Sequence, residues 1–211
     1  MKDIFDTTVA TYRDEAGAAA FVAKELPHDA ARSASVYSLL DGLDISGWRV
    51  LDVGCGFGRD VGEFRRRGAE AYGCDVSPAL LDKADERVKP YLKEYDWRSG
   101  ESLPFGGGFD LIWCCAVLVH VPRAELIVFL RRLWDGLKAG GRLALYTKCG
   151  KGEQVVRNLG ENLPRVMVFY TVEDITSIFN QLGAEIEMAS GDFATTALGD
   201  ALLVVRVRKT F

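Results

Sequence analysis

Short apolar segments alternate with helix-like segments along this 211-residue chain from residue 47 onward. Strict alternation of strand and helix predicts a mostly parallel sheet, because right-handed crossovers between parallel strands place helices on both of its faces. The last two predicted strands, 184–189 and 201–208, have no helix between them, so we expect them to pair antiparallel at one edge. The sequence therefore predicts an α/β fold.

The other predicted elements follow from hydrophobic periodicity and from residues that cap helices. Expected strands cover 48–53, 69–74, 94–98, 109–116 and 142–146. Expected helices cover 58–67, 77–88, 123–137 and 171–182. Two further helical segments, about 7–26 and 30–43, are separated by Pro27. We interpret residues 1–46 as a helical lid on one domain that covers residues 47–211.

Charge and cysteine content limit the partners and the compartment. The formal net charge of −4 offers no general attraction to a polyanion, so we expect no long nucleic acid as a partner. The polar N-terminus is not typical of a signal peptide. The longest nearly uncharged run, 111–122, is too short to span a membrane. The five cysteines form no CxxC pair, which favours reduced thiols and a cytoplasmic location.

The most informative motif is VLDVGCGFG at residues 50–58, in which a strand leads directly into three alternating glycines and then a helix. Ligands of open α/β sheets bind outside the carboxyl ends of the strands, where this turn lies. Three glycines leave a backbone surface that a ligand can approach without meeting a β-carbon. Asp75 ends the second strand, where a carboxylate can accept both ribose hydroxyls of an adenosine nucleoside. The turn and Asp75 together predict a site for one nucleoside-sized ligand.

Two other nucleotide-binding motifs fit this turn less well. The dinucleotide fingerprint GxGxxG requires glycine or alanine at position 59, where this chain has Arg59. A P-loop requires GK[ST] after the glycines, and none follows. Asp52, beside the turn, would repel a diphosphate and favour an ammonium group. The motif therefore favours an adenosyl zwitterion, and a nicotinamide oxidoreductase is kept as an alternative.

Four ordered motifs resemble those of class I methyltransferases. They are VLDVGCGFG, YGCDVSPALLDKA, ESLPFGGGFDLIWCCAVLVHVP and LKAGGRL, and the likeness extends from about residue 47 to the end of the chain. The resemblance implies a Rossmann-like, seven-stranded sheet, S-adenosylmethionine as cofactor and S-adenosylhomocysteine as product. The third motif is similar to that of the family's small-molecule members, so the implied reaction is methyl transfer to a small organic acceptor.

The resemblance also implies which residues hold the cofactor. The backbone of Gly54, Gly56 and Gly58 would pass under its amino-acid moiety and sugar. Asp75 would bind the ribose, and Asp52 would support the ammonium group. The other positions implied along the cofactor are Tyr12, Cys55, Arg59, Val76, Ser99, Gly100, Glu101, Cys115 and Ala116.

Three of these assignments leave alternatives open. Many relatives carry an aspartate two residues before the position of Glu101, where this chain has Ser99, so the backbone of Gly100 is an alternative contact to the adenine. Tyr12 fits either an aromatic hydroxyl over the cofactor or a packing tyrosine. Arg59 fits either a contact to the cofactor carboxylate or a solvated start of a helix.

Methyl transfer from a sulfonium requires that nucleophile, methyl and sulfur lie in line, and a base is needed only when the nucleophile arrives protonated. His120, just beyond the fourth strand, is the candidate base, with anchoring of its loop as the alternative. Tyr146 and Tyr170 are candidate residues of a substrate pocket, with ordinary packing as the alternative. The segment 114–120 supplies no carboxylate, so we expect no metal.

The sequence indicates only the chemical class of the methyl acceptor. The [DNS]PP[YFW] motif of enzymes that methylate amines of bases is absent, because residues 114–117 read CCAV. A lid formed by residues 1–46 and 148–170 suits a modest organic molecule, such as a metabolite or natural product. A methyltransferase acting on a protein, peptide or tRNA and a non-catalytic module that binds an adenosyl ligand are the alternatives.

Overall fold

The computed structural model describes residues 4–26, 36–159, 163–192 and 201–211. The strands of these residues are β1 (Arg49–Val53), β2 (Glu70–Asp75), β3 (Leu92–Glu94), β4 (Phe109–Cys115), β5 (Leu137–Lys148), β6 (Glu153–Leu159), β7 (Leu163–Val168), β8 (Glu185–Ser190) and β9 (Leu202–Arg208). Seven of them form one sheet in the order β3-β2-β1-β4-β5-β9-β8. The predicted α/β fold with a mostly parallel, seven-stranded sheet is confirmed.

The strand β9 runs antiparallel to both of its neighbours, β5 and β8. The expected antiparallel pairing of the last two strands is thus confirmed. The structure adds that the C-terminal strand is inserted beside β5, which leaves β8 as the outer strand of the sheet. The pairs β1–β2, β1–β4, β2–β3 and β4–β5 are all parallel, so the carboxyl ends of β1, β2 and β4 meet at one edge.

The α-helices of the described residues are α1 (Ile4–Arg13), α2 (Glu15–Glu25), α3 (Arg59–Arg66), α4 (Pro78–Leu81), α5 (Leu126–Gly136) and α6 (Val172–Gln181). Two apolar clusters cover the two faces of the sheet. One contains Phe129 and Phe179, from α5 and α6. The other contains Phe64 of α3 together with Trp113 of β4. Helices on both faces explain why β4 is apolar along nearly its whole length.

Several predicted boundaries are wrong for local reasons. The expected strand 94–98 lies instead at Leu92–Glu94, because the side chain of Asp96 accepts the N–H of Arg98 over 2.8 Å and turns the chain. The expected helix 77–88 ends at Leu81, and further along Asp85 captures the N–H of Arg87 over 2.9 Å. The expected helix 7–26 is broken at Asp14, which caps α2 by accepting the N–H of Gly17.

The predicted lid has a defined architecture where it is described. The segment 148–170 contains an antiparallel β6–β7 hairpin that the sequence analysis did not predict. Helix α1 lies against β7, where Thr11 donates a hydrogen bond to the carbonyl of Pro164 over 2.6 Å and Thr8 accepts the N–H of Val166 over 3.0 Å. Residues 27–35, which include Pro27 and the start of the predicted helix 30–43, lie outside the described residues, as do 160–162.

Candidate functional site

The glycine turn between β1 and α3 uses its three glycines for different purposes. All three have positive φ: 73° at Gly54, 56° at Gly56 and 75° at Gly58. A β-carbon on Gly58 would lie 2.9 Å from side-chain atoms of both Leu92 and Val88, so this glycine permits packing inside the protein. A β-carbon on Gly56 would meet only a ring carbon of Phe21, at 3.8 Å. Gly56 is therefore the glycine of the three at which the structure leaves most room beside the backbone.

Gly54 couples the turn to the loop that follows β4. A β-carbon on Gly54 would lie 2.2 Å from Cγ2 of Val117, a distance that forbids any side chain here. The N–H of Gly54 donates to the carbonyl of Cys74 over 2.7 Å, which continues the β1–β2 ladder into the turn. The absence of a side chain at Gly54 thus allows the carboxyl ends of β1, β2 and β4 to lie close together.

Asp75 joins the end of β2 to the glycine turn. Asp75 is 8% exposed, and its carboxylate accepts two backbone N–H groups, Gly56 to Oδ2 over 2.8 Å and Ser77 to Oδ1 over 2.9 Å. Burial raises the pKa of Asp75, and the backbone N–H groups of Ser77, Gly56 and Val76 oppose that shift. Each carboxylate oxygen has two acceptor positions, and the hydrogen bonds from Gly56 and Ser77 occupy one on each oxygen.

The C-terminal end of α1 is fastened to the segment that follows Asp75. The hydroxyl of Ser77 donates to the carbonyl of Tyr12 over 2.5 Å, and the same oxygen caps α4 by accepting the N–H of Leu80. Arg13 donates to the carbonyl of Val76 over 2.9 Å and pairs with Glu94 over 2.6 Å. These contacts hold the end of α1 over the carboxyl ends of β2 and β3.

Aromatic side chains of the two N-terminal helices cover the glycine turn. The half-buried ring of Tyr12 meets Phe21 edge-to-face, with centroids 5.3 Å apart, and meets His120 in the same manner at 5.5 Å. Phe21 itself lies above Gly56. Helices α1 and α2 therefore cover one side of the glycine turn.

His120 is held by hydrogen bonds at both ring nitrogens. Its Nδ1 lies 3.0 Å from the carbonyl of Val166, which can only accept, so Nδ1 carries the proton. Its Nε2 lies 3.3 Å from the hydroxyl of Tyr12. That hydroxyl accepts from Arg165 Nη1 over 2.7 Å, which leaves its own proton for His120. A chain of hydrogen bonds thus runs from Arg165 through Tyr12 and His120 to β7.

The environment of His120 disfavours the protonated ring. Burial is the main cause that lowers its pKa to about 4, the bond to Val166 opposes this, and the charge of Arg165 lowers it further. A neutral imidazole whose Nε2 already accepts a hydrogen bond is a weak proton acceptor. The expectation of a base that works near neutral pH gains no support from these contacts.

The carboxyl end of β4 lies beside the glycine turn with an unusual backbone. Ala116 is exposed and has φ of 59°, a left-handed conformation that alanine seldom adopts. Its N–H donates to the carbonyl of Tyr146 on β5 over 2.7 Å. Cys115 and Tyr146 are register partners in the sheet, and both are buried. Ala116 is therefore the exposed residue among those predicted at the carboxyl end of β4.

The segment predicted to border the adenine is exposed and irregular. Trp97–Ser99 forms one turn of 3₁₀ helix, followed by Gly100 with φ of 82° and open space at its missing β-carbon. The hydroxyl of Ser99 accepts the N–H of Glu101 over 3.2 Å. The hydroxyl of Tyr95 donates to the carbonyl of Glu101 over 3.0 Å and secures the segment.

The other predicted residues at the glycine turn have internal contacts. Arg59 lies 3.1 Å from Asp60 and 4.0 Å from Glu25 of α2, so it links the start of α3 to the lid. Asp52 is buried in β1 with 3% exposure. The thiol of Cys55 points onto β2, where a β-carbon on Gly73 would lie 2.8 Å from its sulfur.

Tyr170 is fully buried in the core and has no surface toward a cavity in this structure. Its hydroxyl donates to the carbonyl of Val121 over 2.6 Å, which anchors the loop that carries His120. The guanidinium of Arg123 lies over its ring at 4.9 Å. The burial of Tyr170 agrees with packing, the alternative that the sequence analysis kept open, and its hydrogen bond to Val121 adds a contact to the loop that was not predicted.

The sequence analysis missed three residues of this site: Phe21, Val117 and Arg165. Their roles depend on contacts between distant segments, and although Val117 lies within the third motif, that motif does not indicate its contact with Gly54. Among the described residues there is no group of three or more His, Cys, Asp or Glu side chains that could hold a metal ion. None of the helices described is long and apolar enough to cross a membrane.

Comparisons with known proteins agree with this geometry. Residues 50–141 match the family model of a methyltransferase domain. The methyltransferase GfsG of Streptomyces halstedii is 35% identical over 114 residues, which cover 51% of this chain and 40% of that protein. A ubiquinone biosynthesis O-methyltransferase of Xanthomonas oryzae pv. oryzae is 38% identical over 109 residues, 50% of this chain and 45% of that protein. The chain thus spans less than half of the length of these relatives.

The fold is also found among solved structures. A complex of DhpI with SAM and HEP matches this chain with a TM-score of 0.78 at 16% identity, over 99% of each chain. The likeness extends across the sheet, the lid helices and the hairpin, because it covers nearly all residues. By its matched residues 50–141, its sheet order and its ordered motifs, this chain is similar to the methyltransferases of the class I, Rossmann-like type.

Proposed function

We propose that the protein transfers the methyl group of S-adenosylmethionine to a small organic acceptor and releases S-adenosylhomocysteine. The observation that carries this proposal is the hydrogen bond between Asp75 and Gly56, because it places a buried carboxylate beside the glycine turn at the carboxyl edge of the sheet. Ligands of open α/β sheets bind at this edge.

The residues present fit this cofactor. The hydrogen bonds from Gly56 and Ser77 occupy one acceptor position on each oxygen of Asp75, and a carboxylate can accept further bonds, which suits the hydroxyls of a ribose. The ring of Phe21 lies 3.8 Å from the position of a β-carbon on Gly56, so the ligand would lie beside these two residues and not between them. Asp75 would therefore hold the sugar, while Gly56 and Phe21 would border the ligand.

The two ends of the ligand would contact other predicted residues. At the amino-acid end, Asp52 and the backbone of Cys55 are proposed to bind the ammonium group, and Arg59 the carboxylate. At the adenine end, Val76 is proposed to pack on the ring, with Ser99, Gly100 and Glu101 along its edge. The exposure of Gly100 and the open space at its α-carbon support a backbone contact there.

When bound, the sulfonium of the cofactor supplies an activated methyl group, so the chain has to bind, orient and exclude water. Tyr12 and Phe21 of the lid, with Ala116 at the end of β4, would enclose the methyl. We propose that His120 is a positioning residue, since its Nε2 accepts the hydroxyl proton of Tyr12 and so orients that hydroxyl.

A small acceptor and a cytoplasmic setting complete the proposal. Helix α1 packs directly on the β6–β7 hairpin, and this closed lid favours a modest molecule over a polymer. One curated relative is named as an O-methyltransferase of ubiquinone biosynthesis, which is also a small-molecule pathway. All five cysteines are free thiols, as is usual in reducing compartments.

The test is a screen of a metabolite extract with S-adenosylmethionine and the purified protein. Release of S-adenosylhomocysteine together with a metabolite that gains one methyl, both read by mass spectrometry, supports the proposal. The control is the Asp75→Ala variant, which should release less when the cofactor concentration is limiting. Tight binding of the cofactor without release from any extract would instead indicate a module that binds but does not catalyse.

A further inference from the structure

The C-terminal end of helix α1 covers the segment that follows Asp75, and the proposed function does not explain how a cofactor would pass it. Asp75 and Ser77 are both buried, Ser77 completely. The carbonyl of Tyr12, in the last turn of α1, accepts the hydroxyl of Ser77 over 2.5 Å. A ligand as large as a nucleoside therefore has to pass this end of α1 on its way to the carboxylate of Asp75.

Arg13, the last residue of α1, makes the charged contacts at this end. Its Nε donates to the carbonyl of Val76 over 2.9 Å, and its Nη2 donates to the carboxylate of Glu94 over 2.6 Å. Val76 directly follows β2, and Glu94 ends β3. One side chain thus fastens α1 to the ends of two neighbouring strands, on the side of the sheet where Asp75 lies.

The contacts of Arg13 are accessible to water. The side chain of Arg13 is 45% exposed, and that of Glu94 is 50% exposed. Exposed ion pairs contribute little to stability, because water competes for both charges and salt screens them. This end of α1 can therefore be released at a small cost in free energy.

The opposite side of α1 is fastened by buried groups. Thr8 and Thr11 are both buried, and they bind the backbone of β7 at Val166 and Pro164. Buried hydrogen bonds on the hairpin side and an exposed ion pair beside Asp75 favour local opening at the C-terminal end of the helix.

The hydroxyl of Ser77 does not prevent such an opening. It accepts the N–H of Leu80 over 3.1 Å, and this bond does not involve α1. When Tyr12 moves away, the hydroxyl keeps that bond and can donate its proton to water. The N–H of Ser77 likewise stays on the carboxylate of Asp75, so the cofactor carboxylate keeps its orientation while the helix moves.

We propose, on the basis of the proposed function, that Arg13 and Glu94 form a latch on α1 that sets the rates at which the cofactor enters and its product leaves. When the latch is closed, Arg13 holds α1 on the carbonyl of Val76, the residue proposed to pack on the adenine. When it opens, the end of α1 moves off Ser77 and uncovers Asp75. Arg13 is thus a positioning residue that acts through α1. Entry and exit require the same opening, so both rates should change together.

The experiment measures the association and dissociation rates of S-adenosylhomocysteine by surface plasmon resonance on the immobilised protein. Arg13→Met should raise both rates by about three- to tenfold, because it removes the ion pair and the bond to Val76. Glu94→Gln removes only the ionic partner and should raise both by about two- to fivefold. The Kd should stay within about threefold of the wild-type value in each variant, because the two rates rise together.

Ionic strength gives a second readout that a merely structural role of Arg13 would not move. S-adenosylhomocysteine has no net charge at neutral pH, so salt acts on the latch and not on the attraction between ligand and protein. Raising NaCl from about 20 to about 300 mM should speed both rates in the wild type and have less effect in Arg13→Met.

The matched control is Arg208→Met. Arg208 pairs with Glu185 at the outer edge of the sheet, and their side chains are 46% and 53% exposed, close to the values for the latch. This variant loses a similar ion pair far from α1 and should exchange the ligand at the wild-type rates.

Unchanged rates in Arg13→Met would overturn the inference. Faster dissociation with unchanged association would also overturn it, because Arg13 would then only help to hold the ligand. Glu94→Gln decides by the same criteria if Arg13→Met does not fold. Failure of S-adenosylhomocysteine to bind the wild-type protein would instead overturn the proposed function, and the inference with it.

Discussion

The carboxylate of Asp75, at the end of β2, accepts the N–H of Gly56, in the turn after β1, over 2.8 Å. This bond fixes the position of the turn relative to the neighbouring strand. Because the other oxygen accepts the N–H of Ser77, the carboxylate is held in one orientation and can accept further hydrogen bonds. The same residue thus shapes the site and is available to bind a ligand.

The open surface of Gly56 predicts a change in affinity with little change in stability. A β-carbon in Gly56→Ala meets only Phe21, so the free energy of unfolding should fall by about 1 kcal/mol, the usual cost of positive φ. The affinity for S-adenosylmethionine should fall by about tenfold or more, because the methyl occupies ligand space.

Gly58→Ala is the matched control for that variant. Its β-carbon would lie 2.9 Å from side-chain atoms of Leu92 and Val88, so the free energy of unfolding should be lower than in the wild type by about 2 kcal/mol. Cofactor affinity should stay within about threefold. Calorimetry and urea unfolding measure both quantities, and equal affinities of the two variants would refute the different purposes assigned to these glycines.

The contact of Gly54 with Val117 predicts a rescue. Gly54→Ala should lower the free energy of unfolding by about 2–4 kcal/mol, because its β-carbon would lie 2.2 Å from Cγ2 of Val117 in addition to the strain of positive φ. The double variant with Val117→Ala should recover part of this loss, since the clashing atoms are gone. Additive losses in a double-mutant cycle by urea unfolding would contradict this coupling.

The buried imidazole of His120 predicts a dependence of stability on pH. Its pKa is about 4 in the folded protein, because burial disfavours the charged ring, and 6.5 is its ordinary value. Between these two values the unfolded chain binds more protons than the folded one, so stability falls as pH decreases from about 6.5 to 4. The loss attributable to His120 should reach about 2–3 kcal/mol at pH 4.5.

His120→Gln removes the titrating group and is the comparison for this prediction. Urea unfolding at pH 7 and pH 4.5 should show a smaller loss of stability in the variant than in the wild type. The same loss in both proteins would mean that other groups cause the acid sensitivity. A pH–rate profile of the wild type without an inflection between about pH 6 and 7 is also expected, because the ring stays neutral there.

The sequence predicts best the parts of the fold that local patterns determine. The strands β1, β2 and β4 are close to their expected bounds, since apolar runs and the glycine turn delimit them. Helix α6 also begins within one residue of its expected start, because Thr171 and Asp174 form a capping box in which both hydrogen bonds are present. Asp75 could be predicted as a site residue because its role follows from its position at the end of a strand.

The remaining features depend on contacts between distant parts of the chain. The β6–β7 hairpin is stabilised partly by Thr8 and Thr11 of α1, about 150 residues earlier in the sequence, and no local motif predicts that pairing. Arg165 lies in this hairpin and therefore could not be assigned to the site. The lowered pKa of His120 could likewise not be predicted, because it follows from burial by segments that are distant in sequence.

The most direct test of the account is calorimetric titration of S-adenosylmethionine into the wild type and Asp75→Ala. We predict saturable binding to the wild type and a loss of at least about tenfold in the variant, because two charge-assisted hydrogen bonds to the ribose are removed. Asp174→Ala, which removes a carboxylate from the cap of α6, controls for general destabilisation and should bind as the wild type does. No binding to the wild type, or equal binding to Asp75→Ala, would contradict the account.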